Sequence, residues 1–204
     1  MLWAQSMHGG KMNLRRSLVL GLFIALAGCT ATADKSQKFA QPDEVIDTVT
    51  LRLLLGDIGQ ARFAAPKDVD AYRYKYVPAM LARVPNTLKI NGIKVAKVET
   101  NNARRTDTRY EIRIEASEFS QAQSGKCWVH YDLTLFDFQK QTKIWGGRTQ
   151  VSINSDQPLL RSEKLAGDIL NSLYREGIIK LAQGHAVNPQ GERITDVSVF
   201  STDK

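Results

Sequence analysis

Cysteine is nearly absent from this sequence: two residues in 204, Cys29 and Cys127. Histidine is scarce too, with three residues in all. So few thiols and imidazoles leave little material for a disulfide framework or for a zinc site with its three or four clustered ligands. No serine stands in a G-x-S-x-G elbow, and no phosphate-binding glycine loop occurs. No apolar run approaches the ~20 residues that a helix needs to cross a hydrocarbon core. Internal repeats and low-complexity blocks are missing. These absences remove the motif-bearing enzyme classes, and the expectation is a protein that is not an enzyme and carries no cofactor.

One absence is local. No acidic residue precedes Asp34, while Arg15 and Arg16 stand just before the apolar stretch Leu18 to Leu26. A positive region, a short apolar core and then small residues is the layout of a secretory signal peptide. A buried core helix fits poorly, because the stretch has neither a 3.6-residue period nor a polar face. Arg15-Arg16 is followed by Ser17-Leu18, a poor match to a twin-arginine signal, so general secretion is the expected route. Met7 and Met12 are alternative starts to Met1.

The stretch ends on Leu26-Ala27-Gly28-Cys29, which resembles the lipobox of bacterial lipoproteins. The resemblance implies cleavage before Cys29, a diacylglycerol on its thiol and a further acyl chain, such as palmitate, on the new amine. Several chains give stable anchoring where one does not, at ~0.8 kcal/mol per buried CH₂. By the sorting rule of that family, Thr30 after the cysteine, rather than aspartate, implies the outer membrane. The expected partner at this end is therefore the membrane itself, through the lipid anchor, with the domain facing the periplasm.

Removing residues 1 to 28 takes away Lys11, Arg15 and Arg16 and no acid, so the formal net charge of +7 falls by three. That weakens a nucleic-acid-binding reading, and none is expected. Once Cys29 is acylated, Cys127 is the sole thiol and no internal disulfide can form. Cys127 falls in line with Val129, Tyr131, Leu133 and Leu135, the pattern of a small hydrophobe on a buried strand face.

The expected organisation is a signal peptide over 1–28, a lipidated cysteine with a flexible tether over 29–44, a domain over 45–184 and a polar tail over 185–204. A strand is expected through Val45 to Leu55, with a short helix as the alternative. In "DAYRYKY", Tyr72, Tyr74 and Tyr76 alternate with Arg73 and Lys75 and predict a strand with an aromatic face. Pro78 suits a helix start and Pro85 an end or kink, before a strand over Ile93 to Val98. Three successive strands follow: Tyr110 to Ala116, Cys127 to Phe138, and Ile144 to Ile153. Short connections join them, which implies an antiparallel meander.

Leu165, Ile169 and Leu173 recur at i, i+4 and i+8, opposite Arg161, Lys164, Asp168, Asn171 and Arg175. This predicts an amphipathic helix to about Leu181, with Gly184 as the stop. "ITDVSVF" near the C-terminus is a candidate edge strand. The fold class expected is α+β, an antiparallel sheet of four to five strands packed on two helices as a two-layer sandwich. This layout behind a lipobox resembles small outer-membrane accessory lipoproteins of the lipopolysaccharide-assembly and transport-auxiliary kinds.

Candidate functional groups are few. His130 and Asp132 share a strand face but lack a third ligand, so no metal is expected. Gly146-Gly147 inside a strand suggests a bulge or a close backbone approach, with Trp145 beside it as either a binding anchor or a core residue. Arg104, Arg105, Arg109 and Arg113 form the densest basic cluster. With Trp128, His130, Trp145 and Arg148 they compose the surface expected to meet an envelope protein partner. A lipid- or glycan-binding carrier with a cleft between helix and sheet is the rival reading.

Overall fold

A computed structural model describes residues 36–56, 65–102, 108–153 and 156–195. The signal peptide, Cys29, Arg104, Arg105 and most of "ITDVSVF" lie outside the described residues. What is described is one sheet with helices on one face. In chain order the elements are β1 (Gln37–Lys38), β2 (Thr48–Leu54), α1 (Pro66–Ala71), a π-helical stretch (Tyr72–Tyr76), α2 (Val77–Ile90), β3 (Lys94–Glu99), β4 (Tyr110–Gln121), β5 (Cys127–Asp137), β6 (Thr142–Ser152) and α3 (Pro158–Arg175).

The sheet has six strands in the order β1-β6-β5-β4-β2-β3. The α+β class stands, but an all-antiparallel sheet of four to five strands does not. β2 pairs parallel with both β3 and β4, while β4, β5 and β6 form the expected antiparallel meander. The reason lies in the connection. β2 leads to β3 through the helical segment, and a crossover of that kind returns the chain parallel to where it started.

"DAYRYKY" is helical rather than a strand. Tyr72 and Tyr76 turn into the core, whereas Tyr74 is 70 % exposed. A strand would have put all three on one face. The helix also runs on through Pro85 to Ile90. Burial of Met80, Val84 and Leu88 outweighs the ~3 kcal/mol that an interior proline costs.

The core is one cluster between sheet and helices. Leu51 and Leu53 of β2, Ile112 and Ile114 of β4, and the Cys127–Leu135 face of β5 meet Tyr76, Met80 and Leu88 from one helix and Leu165, Ile169 and Leu173 from α3. The expected alternation of β5 holds: odd positions from Cys127 to Leu135 are buried and the even ones are half-buried or exposed.

α3 stops at Arg175, earlier than expected. Gly177 takes the left-handed conformation (φ 69°), and the Ile178 N–H reaches back to the Leu173 carbonyl over 3.0 Å. The polar residues expected on its solvent arc are partly buried. Asn171 donates from Nδ2 to the Ile194 carbonyl and accepts at Oδ1 from the Ala186 N–H. Asn91, at the end of α2, does the same with the carbonyl and N–H of Val187. These two amides fasten residues 185–195, the described part of the expected polar tail, onto the helices. At the other end, residues 36–44 of the expected tether lie on the domain through β1, and Lys38 Nζ donates to the Glu176 carbonyl at 2.8 Å.

Candidate functional site

Of the described candidate residues, Arg113, Trp128, His130 and Arg148 stand on the outer face of the sheet. Asp132 and Arg148 are cross-strand partners on β5 and β6, and Arg113 pairs with Thr134. Arg148 Nη2 lies 2.9 Å from Glu118 Oε2, and its Nε lies 3.5 Å from Asp132. His130 Nε2 is 2.8 Å from Ser120 Oγ across the β4–β5 ladder. Burial lowers the His130 pKa below its ordinary value, and the Arg148 charge adds to that. Trp128 is half-buried at the start of β5.

The other candidates separate from this group. Arg109 sits at the opposite end of the sheet, where its guanidinium reaches Asp137, Asp43 and Glu44 at 2.8, 3.1 and 3.0 Å. It ties the segment after β1 to the β5–β6 turn. Burial alone would raise the Asp137 carboxyl pKa. Arg109 and the N–H groups of Gln139 and Lys140 overrule it and hold the group below the usual range. Trp145 is 1 % exposed against Leu135, so of its two readings the structure places it in the core. Gly146 and Gly147 do mark a close approach: a Cβ on Gly147 would touch Ser36, and one on Gly146 would meet the Lys143 side chain.

Cys127 is fully buried, with its thiol 3.3 Å from Asp68 Oδ2. Burial and then Asp68 push the thiol up to about 11, which leaves it protonated and unreactive at neutral pH. Among the described residues no three His, Cys, Asp or Glu side chains stand close enough to hold a metal ion. Likewise, no described helix is long and apolar enough to cross a membrane.

Two features escaped the sequence. The first is a buried ionic cluster on the outer face of β2. Arg52 bonds Glu111 and Glu99 at 2.9 and 3.1 Å, Lys97 reaches Glu99 at 2.7 Å, and Arg113 reaches Glu111 at 3.0 Å. The Lys97 hydrogen bond outweighs burial and, with Arg52, holds the Glu99 carboxyl below its usual range. β3 and β4 flank β2 in parallel, so the Glu99–Tyr110 connection must cross back over β2. Its described ends do so here: Asn101 accepts from Arg52, and Thr108 bonds Thr50. The only signal in the sequence was an arginine set among leucines in "LRLLL".

The second feature is a cavity of about 440 Å³ at the C-terminal ends of β2, β3 and β4, within the ~300–1,000 Å³ range of small-molecule sites. Its walls are Leu53, Leu55, Phe119, Tyr72 and Val77, with Leu81 and Arg73 on the open side. Tyr72 adds no free polar group, since its hydroxyl donates to the Leu55 carbonyl at 3.0 Å. The π-helical stretch supplies Tyr72 and Arg73, and such departures from α-helical winding recur at functional sites.

No family model matches the chain, and no curated protein matches it in sequence. Solved structures with a similar arrangement include the PelC dodecamer from Paraburkholderia phytofirmans. It has 18% identity and a TM-score of 0.40 over 67% of this chain and 96% of that one. A minor lipoprotein from Acinetobacter baumannii aligns at 12% identity and a TM-score of 0.32 over 66% and 97% of the two chains. A DUF330 protein from Xanthomonas campestris aligns at 12% identity and a TM-score of 0.30 over 69% and 90%.

Proposed function

We propose that this chain is a lipoprotein acylated at Cys29 and held on the periplasmic side of the outer membrane. Its domain acts as a non-enzymatic accessory module of an envelope assembly or transport system. The observation that carries this reading is Leu26-Ala27-Gly28-Cys29 at the end of a short apolar run, eight residues before β1 begins at Gln37. Eight extended residues span at most about 28 Å, so an acylated Cys29 keeps the domain close to the bilayer. The surface offered to a protein partner is the polar outer face of the sheet with Arg113, Trp128, His130 and Arg148, together with Arg104 and Arg105, which lie outside the described residues. Mixed charge of this kind favours steering and specificity over raw affinity.

The anchor is tested by the intact mass of protein extracted from membranes, which should carry the acyl groups on Cys29 and lack residues 1–28. A Cys29→Ala variant that still fractionates with the outer membrane would sink the reading. For the surface, crosslinking in intact cells should capture a partner that is lost on charge reversal of Arg104 and Arg105. Unchanged capture would remove the arginine-rich connection from the interface.

A further inference from the structure

The cavity beside the π-helical stretch has a direction as well as a volume. It opens where β2, β3 and β4 end, the end at which β5 begins and β6 finishes. β1 runs antiparallel to β6 and pairs Gln37 with Gly146, so the N-terminal end of β1 points toward this same end of the sheet. Leu159 and Leu160, in the first turn of α3 just past the end of β6, are exposed apolar side chains at that end. The N-terminal end of β1, the exposed leucines and the apolar cavity therefore share one end of the sheet.

The chemistry of the cavity is one-sided. Leu53, Leu55, Phe119 and Val77 give it apolar walls, and the nearby Tyr72 hydroxyl is already satisfied. Among the described lining residues the polar side chains not already satisfied are Thr100, a single exposed hydroxyl, and Arg73, an exposed cation that forms no ion pair among the described residues. One hydroxyl is fewer than the several convergent polar groups that reading a sugar needs. An apolar slot closed by one cation fits an alkyl chain attached to an anionic group.

We propose that this cavity takes an acyl chain of an anionic membrane lipid, with Arg73 paired to the lipid head group. The assignment rests on the anchored-lipoprotein reading, which puts the domain within reach of a bilayer. Burial of the chain against leucine, valine and phenylalanine supplies the binding energy, at ~25 cal/mol per Å² of apolar surface. The guanidinium sets which end of the lipid stays outside.

The test uses the full chain in its own membrane. Cells are fed a diazirine-bearing fatty acid that enters their phospholipids, are irradiated, and the protein is purified for peptide mapping. The expected result is label on Cys29 with or without light, and a light-dependent lipid adduct on the peptide spanning residues 69–81. Leu81→Trp, at a position on the open side of the cavity, should abolish the adduct while keeping the wild-type melting temperature. Arg73→Glu should lower it about tenfold, the loss expected for one charge-assisted contact. Label confined to Cys29, or an equal adduct in a folded Leu81→Trp protein, overturns the proposal. An unlabelled Cys29 beside a labelled 69–81 peptide overturns the anchor and leaves the cavity assignment supported.

Discussion

Arg52 Nε donates to Glu111 Oε2 over 2.9 Å, and both side chains are 1 % exposed although they stand on the face of the sheet away from the helices. The described ends of the connection after β3 lie against β2 here: Asn101 accepts from Arg52, and Thr108 bonds Thr50. Arg52 thus balances two buried carboxylates, Glu99 and Glu111, while its Nη2 finds no hydrogen-bond partner among the described residues.

Removing that cation leaves two buried carboxylates with one cation each, Lys97 on Glu99 and Arg113 on Glu111, and empties the buried centre of the cluster. Arg52→Ala should destabilise the protein by about 3–5 kcal/mol in urea denaturation, whereas Arg113→Ala, at the wet rim of the same cluster, should cost no more than about 1 kcal/mol. Equal midpoints for Arg52→Ala and wild type would mean that the cluster is solvated.

Arg109 clasps the Asp43–Glu44 segment to Asp137, and its loss leaves a buried carboxylate supported only by two backbone N–H groups. Arg109→Ala should destabilise the protein at neutral pH, read as a lower urea midpoint than wild type. The Asp137 pKa is lowered in the folded state, so its contribution is full above the unfolded value of ~3.9 and disappears as pH falls through the folded value. Acid unfolding of Arg109→Ala should therefore begin at a higher pH than in wild type, and trypsin should cut at Lys38 faster.

His130 carries the opposite chemical type with the same sign of dependence. Its pKa is depressed by burial, so the unfolded chain binds the proton more readily. Stability should be full above ~6.5 and decline as pH falls below it. In His130→Asn that part of the slope should vanish. A pH profile of melting temperature between 7 and 5 that is identical in the two proteins would show that His130 is freely solvated.

Gly167 lies in the middle of α3, where alanine would ordinarily gain ~1 kcal/mol of helix propensity. Here a Cβ would run into the side chain of Ile194, the buried anchor of the C-terminal segment. Overpacking costs ~1–3 kcal/mol, so Gly167→Ala should lower the melting temperature rather than raise it. Hydrogen exchange should also quicken at the Ile194 and Ala186 amides.

Legibility in the sequence followed period. In β5 the alternation from Cys127 to Leu135 could be satisfied by one geometry alone, and the strand, its buried face and the buried thiol were all readable. "DAYRYKY" was ambiguous, because residues four apart share a face in a strand and in a helix alike. Tyr72 and Tyr76 satisfied both readings. Tyr74 could have decided between them, but an exposed tyrosine looks no different in sequence from a buried one.

The candidate surface divides in the same way. The β5 face with His130, Asp132 and Arg148 was legible because cross-strand register follows from alternation. Arg109 read as a free basic group, and its carboxylate partners Asp43 and Glu44 come from a segment up to 66 residues away. Pairing at that separation leaves no local trace. A cleft between helix and sheet belonged to the rival reading, but the residues that wall the cavity left no local trace, since they come from three strand ends and one helix.

The sequence by itself determined the features with a local cause. These are the apolar run ending on Leu26-Ala27-Gly28-Cys29, the antiparallel meander joined by short turns, and the apolar stripe of α3. The tertiary structure alone decided that β2 runs parallel to its neighbours and that Arg52 is buried between Glu99 and Glu111. It also decided that Trp145 belongs to the core and that an apolar cavity opens at the pole toward which β1 starts. Each of these depends on which distant segments meet, and that is fixed by burying the whole apolar surface at once rather than by any one stretch of residues.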